Sequence, residues 1–412
     1  MESYPHCSID CGGIAVRARV DPLTTGIRYY SLLDGSGYGD AAFSYMEGLI
    51  HYGIPVKWSP IIVTSLGMFP WEMIPDKARP VLGNGAPRRQ KLLATMDTAS
   101  EYDTVILHCM PELFAKISTP GKVRIGYTVW EADTLPSHWP PLLTSVDKLL
   151  VPCLFNQPMF TFKEGPEVTV LPHIADSAYI NPNAESAALF RQQYQIRAET
   201  FVFYNISAWD PRKAVWETLH AYLLAFNKTD DVCLILKTEK LGHDYSKKNI
   251  SSRVAVKQLV QNIVDAYPDP PRVILIDEYI EENEVIALHQ ASDCYFSLTH
   301  AEGWGMGAFH AGASGNAVIC TGWGGQLDFL NKQYAYLVGF KLTSVKSYRG
   351  RESYQAHQKW AEADIDHAIA LLQYAHLHPE ESRSRGAGLG KFIRKKFSSE
   401  KITEQLISVI DG

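Results

Sequence analysis

The chain has 412 residues, more than one ordinary domain holds and suited to two of roughly 150–200 residues each. Its 46% hydrophobic and 20% charged residues are those of a globular protein, and no apolar run reaches the roughly eighteen residues of a bilayer span. A net charge of −6 disfavours nucleic acid as a partner, and the N-terminus carries neither the basic start nor the apolar core of a secretory signal, so a cytoplasmic protein is expected.

Seven cysteines are scattered, most of them inside apolar runs, and read as reduced core residues. Cys7 and Cys11 beside His6 are half of a metal site whose other half is not visible, so no metal is expected. The first motif in chain order is Asp34-Gly35-Ser36-Gly37-Tyr38-Gly39-Asp40, a glycine-rich loop before a helix whose apolar face is Ala42, Phe43, Met46 and Ile50, ended by Gly53. Its spacing does not complete a dinucleotide fingerprint. Short β-branched or leucine-rich runs then predict buried strands at Thr104 to His108, Val123 to Tyr127, Lys148 to Val151 and Val168 to Leu171. His108 sits at a strand end, and Glu131 and Asp133 follow the next strand in Tyr127-Thr128-Val129-Trp130-Glu131-Ala132-Asp133. The turn-rich stretch from Pro172 to Asp176, followed by Asn181-Pro182-Asn183, marks a domain boundary. Residues 1–176 form the first expected domain and 177–395 the second, with a closing helix at about 396–412 returning to the first.

The rhythm restarts with strands at Phe201 to Ile206, Val232 to Lys237, Val273 to Ile276, Cys294 to Leu298 and Ala317 to Cys320. After the first of these, Ser207-Ala208-Trp209-Asp210-Pro211-Arg212-Lys213 precedes a helix striped by Val215, Leu219, Tyr222, Leu223 and Phe226. Two cations at a helix start oppose its dipole, a penalty that a bound anion reverses. Lys237 is a further basic strand-end residue. The strongest motif is Thr299-His300-Ala301-Glu302-Gly303-Trp304-Gly305-Met306-Gly307, a strand-to-helix glycine loop whose helix stops near Gly315. Its free amides favour phosphate charge, and Glu302 at its mouth can accept hydrogen bonds from sugar hydroxyls. Asp328 follows Gly322-Trp323-Gly324-Gly325. Asn205, Asn227 and Asn249 open glycosylation sequons that read as chance matches. The whole describes an α/β chain of two doubly wound, Rossmann-like domains facing each other across a cleft, with ligands at the carboxyl ends of the strands.

Taken in order, these residues resemble the retaining glycosyltransferases of family four, also called group one, over nearly the whole chain. The likeness runs from Ser36 to Ala42 through Tyr127 to Glu131, Leu171-Pro172-His173, Asp210 to Lys213, Ala301 to Gly305 and Ala317 to Ile319, and ends at Thr321 to Gly325. The resemblance implies the glycosyltransferase B fold, a nucleotide-diphosphate sugar as co-substrate, no other cofactor, no metal and no protein nucleophile. It implies that Lys213 and Arg212 neutralise the donor diphosphate and that Glu302 contacts the donor sugar. By the same carry-over Gly303, Trp304, Gly305 and Met306 cradle sugar and phosphates, Gly37 and Gly39 let the first domain's loop approach the diphosphate, and His108 contacts the sugar. Lys237 joins the donor-binding set, and Glu131 and Asp133 are acceptor-side candidates. The acceptor is a glycan, a lipid-linked sugar or a protein.

The chain departs from the family pattern twice. His310 stands where the second glutamate of a Glu-x7-Glu pattern would meet the nucleotide ribose, and Ala208 stands where many relatives carry an arginine. An imidazole offers one acceptor where a carboxylate accepts from both ribose hydroxyls, so His310 alters ribose recognition. A non-catalytic sugar-binding relative is therefore the alternative, with a transferase acting on modified nucleic acid bases a third reading. The basic segment Lys391 to Lys401, with Phe392, Ile393 and Phe397, suits the solvated face of the closing helix better than peripheral contact with the inner face of a membrane.

Overall fold

The computed structural model describes residues 24–33, 35–64, 67–79, 87–96, 101–181, 183–243, 253–346 and 352–412. His6, Cys7, Cys11, Asp34 and Asn249 lie outside the described residues. The chain divides into two compact units, the first formed by Met1–His108, Thr119–Arg124 and Thr403–Gly412, the second by Cys109–Ser118 and Ile125–Ile402.

In the first unit the strands are β1 (Ile27–Leu32), β2 (Val56–Thr64), β3 (Gly67–Pro70) and β4 (Thr104–His108), in the order β3-β2-β1-β4. β1 runs parallel to both β2 and β4, and β3 closes the edge antiparallel to β2. The helix Gly37–His51 covers this sheet with Ala42, Phe43, Tyr45, Met46 and Leu49 buried, and Phe43 meets Trp58 edge-on at 5.4 Å. The helix starts at Gly37, earlier than the glycine loop suggests. The Ser36 hydroxyl accepts from the Gly39 amide at 3.4 Å, so Gly37 and Gly39 lie in the first helical turn instead of in a loop before it.

The second unit holds β5 (Val123–Tyr127) from Ile125 onward, β6 (Lys148–Val151) and β7 (Glu167–Val170), which pair in parallel. The last strand stops one residue before the predicted Leu171 because the Leu171 carbonyl accepts from the Tyr127 hydroxyl at 3.0 Å and Pro172 follows. Then come β8 (Phe201–Ile206), β9 (Val232–Lys237), β10 (Leu241–His243), β11 (Arg253–Ala255), β12 (Arg272–Ile276), β13 (Cys294–Ser297), β14 (Ala317–Thr321), β15 (Tyr336–Val338), β16 (Phe340–Ser344) and β17 (Lys359–Ala363). Six of these form one parallel sheet in the order β12-β9-β8-β13-β14-β15. Their runs, such as Val-Cys-Leu-Ile-Leu-Lys, are apolar on both sides because helices cover both faces. Phe203, Leu219, Tyr222, Leu234, Phe296 and Ile319 anchor the core on one of those faces.

The five described cysteines, Cys109, Cys153, Cys233, Cys294 and Cys320, are buried and form no disulfide. Among the described residues no helix is long and apolar enough to cross a membrane. In the helix Pro379–Lys396, Ile393 is buried, as is Phe397 just beyond it, while Arg394 and Lys396 donate to the carbonyls of Ala313 and Asp328. Lys391, Lys395, Lys396 and Lys401 are exposed, so the segment turns its apolar residues inward and its charges to solvent.

Gly386 lies where this helix crosses the chain after the glycine-loop helix, and a Cβ there would stand 2.3 Å from the Gly315 carbonyl oxygen. Backbone cannot yield as a flexible side chain can, so Gly386→Ala should destabilise the second unit by about 1–3 kcal/mol, read as a lower urea midpoint.

Candidate functional site

β8 and β13 are neighbours in the six-stranded sheet, and strand order runs outward from them in opposite directions, through β9 to β12 and through β14 to β15. Their carboxyl ends are thus a topological switch point, the place where open parallel sheets leave a crevice. The chain after β8 makes a single 3-10 turn, Pro211–Lys213, capped by the Asp210 carboxylate, which accepts from the Arg212 amide at 3.0 Å. Ala214 then adopts φ 48 and ψ 40, a left-handed conformation rare for a residue with a Cβ. Because of this kink the helix Val215–Ala225 starts beyond both cations, so neither Arg212 nor Lys213 occupies its first turn.

The chain after β13 is stitched to this turn. His300 donates its amide, and Thr299 its hydroxyl, to the Arg212 carbonyl at 2.8 and 3.2 Å. Arg212 Nη1 returns a hydrogen bond to the Ala301 carbonyl at 2.6 Å. Glu302 closes the cluster. Its Oε1 accepts from Lys213 Nζ at 2.7 Å and from the Thr299 hydroxyl at 3.1 Å, while its Oε2 lies 3.3 Å from Arg212 Nη1. Burial alone would push the Glu302 carboxyl up, but the charges of Lys213 and Arg212 reverse this and hold it below the ordinary carboxylate range. Burial likewise opposes the charge of Arg212, yet Tyr354, Glu131, Glu302 and Asp210 together keep its guanidinium protonated well above its ordinary value.

The glycines of the motif are needed for close approach. A Cβ on Gly303 would stand 1.9 Å from Val129 Cγ2, and one on Gly325 would stand 2.0 Å from the Gly303 carbonyl oxygen. The Gly325 amide donates to the Glu302 carbonyl at 2.8 Å, which locks the second glycine run onto the first. Gly305, at φ +89, turns the chain into the helix Met306–Ala313. Trp304 points into the core among Phe309, Phe329, Phe397 and His173, so only its backbone remains for a ligand. His173, sealed there, has its pKa pushed down to about 3 by burial, with a smaller push from His310.

The geometry therefore unites Arg212, Lys213, Glu302 and Glu131, whose Oε1 lies 3.6 Å from Arg212 Nη2. His310 stands apart from them, stacked face to face on Tyr179 at 3.9 Å. Lys237 makes no contact with the Glu302 cluster. Its Nζ donates to the Thr238 carbonyl at 2.9 Å, and with Asp277, Glu278 and Tyr279 it lines a cavity of about 510 Å³ at the ends of β9 and β12. Burial lowers its pKa. Asp133 accepts from the Lys359 amide at 2.6 Å and pins the start of β17. Asp328 likewise accepts from the Leu154 amide at 2.9 Å. In the first unit His108 is buried at the end of β4, with Nδ1 2.9 Å from the Tyr29 hydroxyl and its ring edge-on to Tyr38.

Three polar groups of the cluster were not singled out from the sequence. They are Thr299, Tyr354, which donates to Glu131 Oε2 at 3.0 Å, and His300, which stacks on Trp360 at 4.8 Å. Thr299 lies within the glycine motif, where its position beside Glu302 was a usable signal. Tyr354 and Trp360 come from an irregular segment and a hairpin strand with no recognisable pattern. Among the described residues no three His, Cys, Asp or Glu side chains converge to hold a metal ion.

The fold formed by these elements is the glycosyltransferase B fold. Solved structures that share it over nearly the full length include Anabaena HepE in complex with UDP and glucose, with a TM-score of 0.62, 14% identity, and coverage of 94% of this chain and 100% of that one. Sucrose-phosphate synthase of Thermosynechococcus elongatus gives a TM-score of 0.63 at 15% identity, covering 94% and 98%. WaaG, a glycosyltransferase involved in lipopolysaccharide biosynthesis, gives 0.58 at 13%, covering 94% and 100%. No protein-family model matches the chain. Trehalose synthase of Pyrococcus horikoshii (strain ATCC 700860 / DSM 12428 / JCM 9974 / NBRC 100139 / OT-3) is 21% identical over 222 residues, 54% of this chain and 46% of that protein. The chain thus spans about half the length of this curated relative.

A depressed carboxyl pKa makes an acid-side prediction. The contribution of Glu302 is fully present above the unfolded carboxylate pKa of about 4.3 and is lost as pH falls through the lower folded value. Glu302→Gln should lower the melting temperature at pH 7, and the gap from wild type should narrow as pH falls below about 4.3, where the unfolded carboxylate takes up a proton while the native one still holds its charge. A gap that stays constant to pH 3 refutes the pairing.

Proposed function

We propose that the chain is a retaining glycosyltransferase that moves a sugar from a nucleotide-diphosphate sugar to an acceptor hydroxyl. The observation that carries this reading is the Lys213–Glu302–Arg212 cluster at the switch point, beside the amides that open the helix Met306–Ala313. A diphosphate leaving group needs fixed positive charge, and a preorganised site supplies it without reorganisation during the reaction. HepE, whose fold this chain shares, has been solved with UDP-glucose.

In the proposed reaction the bond from the anomeric carbon to the diphosphate oxygen breaks, and its electron pair stays on that oxygen. Lys213, Arg212 and the helix amides receive the growing negative charge. The acceptor oxygen bonds to the anomeric carbon from the face the diphosphate leaves, and its proton passes to the departing phosphate. The configuration is retained, and no protein nucleophile or metal takes part. Glu302 has two tasks here: it orients Lys213 and presents carboxylate oxygens to the sugar hydroxyls. The acceptor is a glycan, a lipid-linked sugar or a protein, and the reaction takes place in the cytoplasm.

Thermal shift with a panel of nucleoside diphosphates and nucleotide sugars tests this reading. A ligand that binds the folded state alone raises the melting temperature, by an amount equivalent to about 2.7 kcal/mol at one hundred times its dissociation constant. One diphosphonucleotide should give such a shift, and Lys213→Ala should abolish it. A panel with no shift overturns the reading.

A further inference from the structure

The polar contacts of Arg212 leave Nε and Nη2 without a hydrogen bond among the described residues. Nη1 is occupied by the Ala301 carbonyl and Glu302, and the backbone amide by Asp210. Nη2 faces Glu131 at 3.6 Å, within ion-pair range but beyond a hydrogen bond, and makes no hydrogen bond among the described residues. A carboxylate beside a guanidinium ordinarily closes into a short bidentate pair. Here it does not.

What restrains Glu131 is Tyr354. Its hydroxyl donates to Glu131 Oε2 at 3.0 Å, on the carboxylate's other oxygen, and its ring stacks on Trp130 at 4.9 Å. Tyr354 is buried and lies in residues 352–358, which lead into β17 and are tied in turn to the residues around Glu131. Gln358 donates to the Thr134 carbonyl at 3.0 Å, Gln355 accepts from the Ser137 amide at 3.3 Å, and Asp133 accepts from the Lys359 amide. Tyr354 is thus held from both sides and has little freedom to follow Glu131 toward Arg212.

We propose that Tyr354 is a positioning residue that anchors Glu131 short of a full salt bridge and so keeps Arg212 Nη2 open to an anionic phosphate ligand. The inference rests on the phosphate-binding role given above to Arg212 and Lys213, and adds to it residues 352–358, which lead into β17, as the element that sets how much of the Arg212 charge a ligand meets. Without the anchor, Glu131 closes on Arg212 and competes with the ligand. Without the Glu131 charge, the anchor has nothing left to restrain.

A double-mutant cycle at Tyr354 and Glu131, read as inorganic pyrophosphate affinity at low ionic strength with melting temperature as the folding control, separates the two residues. Tyr354→Phe keeps the ring stack and removes the hydroxyl, and should weaken pyrophosphate roughly three- to tenfold, the loss expected for one charge-assisted hydrogen bond relayed through Glu131. Glu131→Gln should tighten binding, since a like charge is removed and the amide oxygen still accepts from Tyr354. In the Glu131→Gln background, Tyr354→Phe should have no further effect. A Tyr354→Phe protein that binds as wild type, an equal loss in both backgrounds, a weaker Glu131→Gln, or no pyrophosphate binding by the wild type each overturns the inference. The transferase reading fails separately: a protein that shows this cycle with pyrophosphate but is shifted by no nucleotide or nucleotide sugar keeps the anchor and loses the reading. A protein that binds a diphosphonucleotide regardless of Tyr354 does the reverse.

Discussion

Glu302 accepts from Lys213, faces Arg212 and is fixed by Thr299, and through these contacts it joins two chain segments that are 89 residues apart in sequence. Two cations brought together at the ends of β8 and β13 would repel each other in a partly desolvated crevice. A shared carboxylate removes that repulsion and sets the direction of both side chains. Such pairs are weak sources of net stability, because desolvation offsets much of the Coulomb attraction. Their value here is geometric, and the surrounding backbone is built to the same end: the Arg212 carbonyl is held by Thr299 and His300, and the Glu302 carbonyl by Gly325.

Charge balance gives the cluster its chemical character. Arg212 and Lys213 bring two positive charges and Glu131 and Glu302 two negative ones. With Asp210 as a third carboxylate beside Arg212, each cation has an opposite charge close by, which lowers the cost of burying the group beside a sheet end. An incoming anion then meets cations already oriented and, at Arg212, a donor not yet engaged. The carboxylates remain as acceptors for neutral hydroxyl groups. Positive donors and carboxylate acceptors within one small volume fit a ligand that is part phosphate and part polyol.

Much of this was legible in the sequence where a local rule decides the outcome. Thr104 to His108, Val123 to Tyr127, Lys148 to Val151, Phe201 to Ile206 and Val232 to Lys237 read as strands and are strands over those same residues, because both faces of a parallel sheet demand continuous apolar runs. Val215, Leu219, Tyr222, Leu223 and Phe226 are buried as their spacing requires. The pairing of Glu302 with Lys213 and Arg212 could be named as residues but not as a contact, since nothing local encodes which strand ends adjoin. β1 to β3 and the β16–β17 hairpin escaped notice: β2 carries Pro60, and β16 exposes Phe340 and Leu342 in place of clean alternation. Tyr354 is the clearest case, an ordinary tyrosine in irregular chain whose importance comes entirely from what the fold sets beside it. His310 was legible as a departure from a pattern, while its stack on Tyr179 depended on a short helix, Ser177–Ile180, that the turn-rich sequence conceals.

The left-handed backbone at Ala214 has a consequence for which sequences this fold admits. The residue closes the turn that carries Lys213 and opens the next helix, so its dihedral angles are set from both ends and cannot relax without moving the lysine. A side chain branched at Cβ would suffer the full steric penalty of that conformation, whereas glycine would incur none and asparagine or aspartate only part of it. Among descendants of this chain that keep the Lys213–Glu302 contact, position 214 is therefore confined to a handful of small or turn-forming residues, however freely the exposed face of the helix behind it drifts.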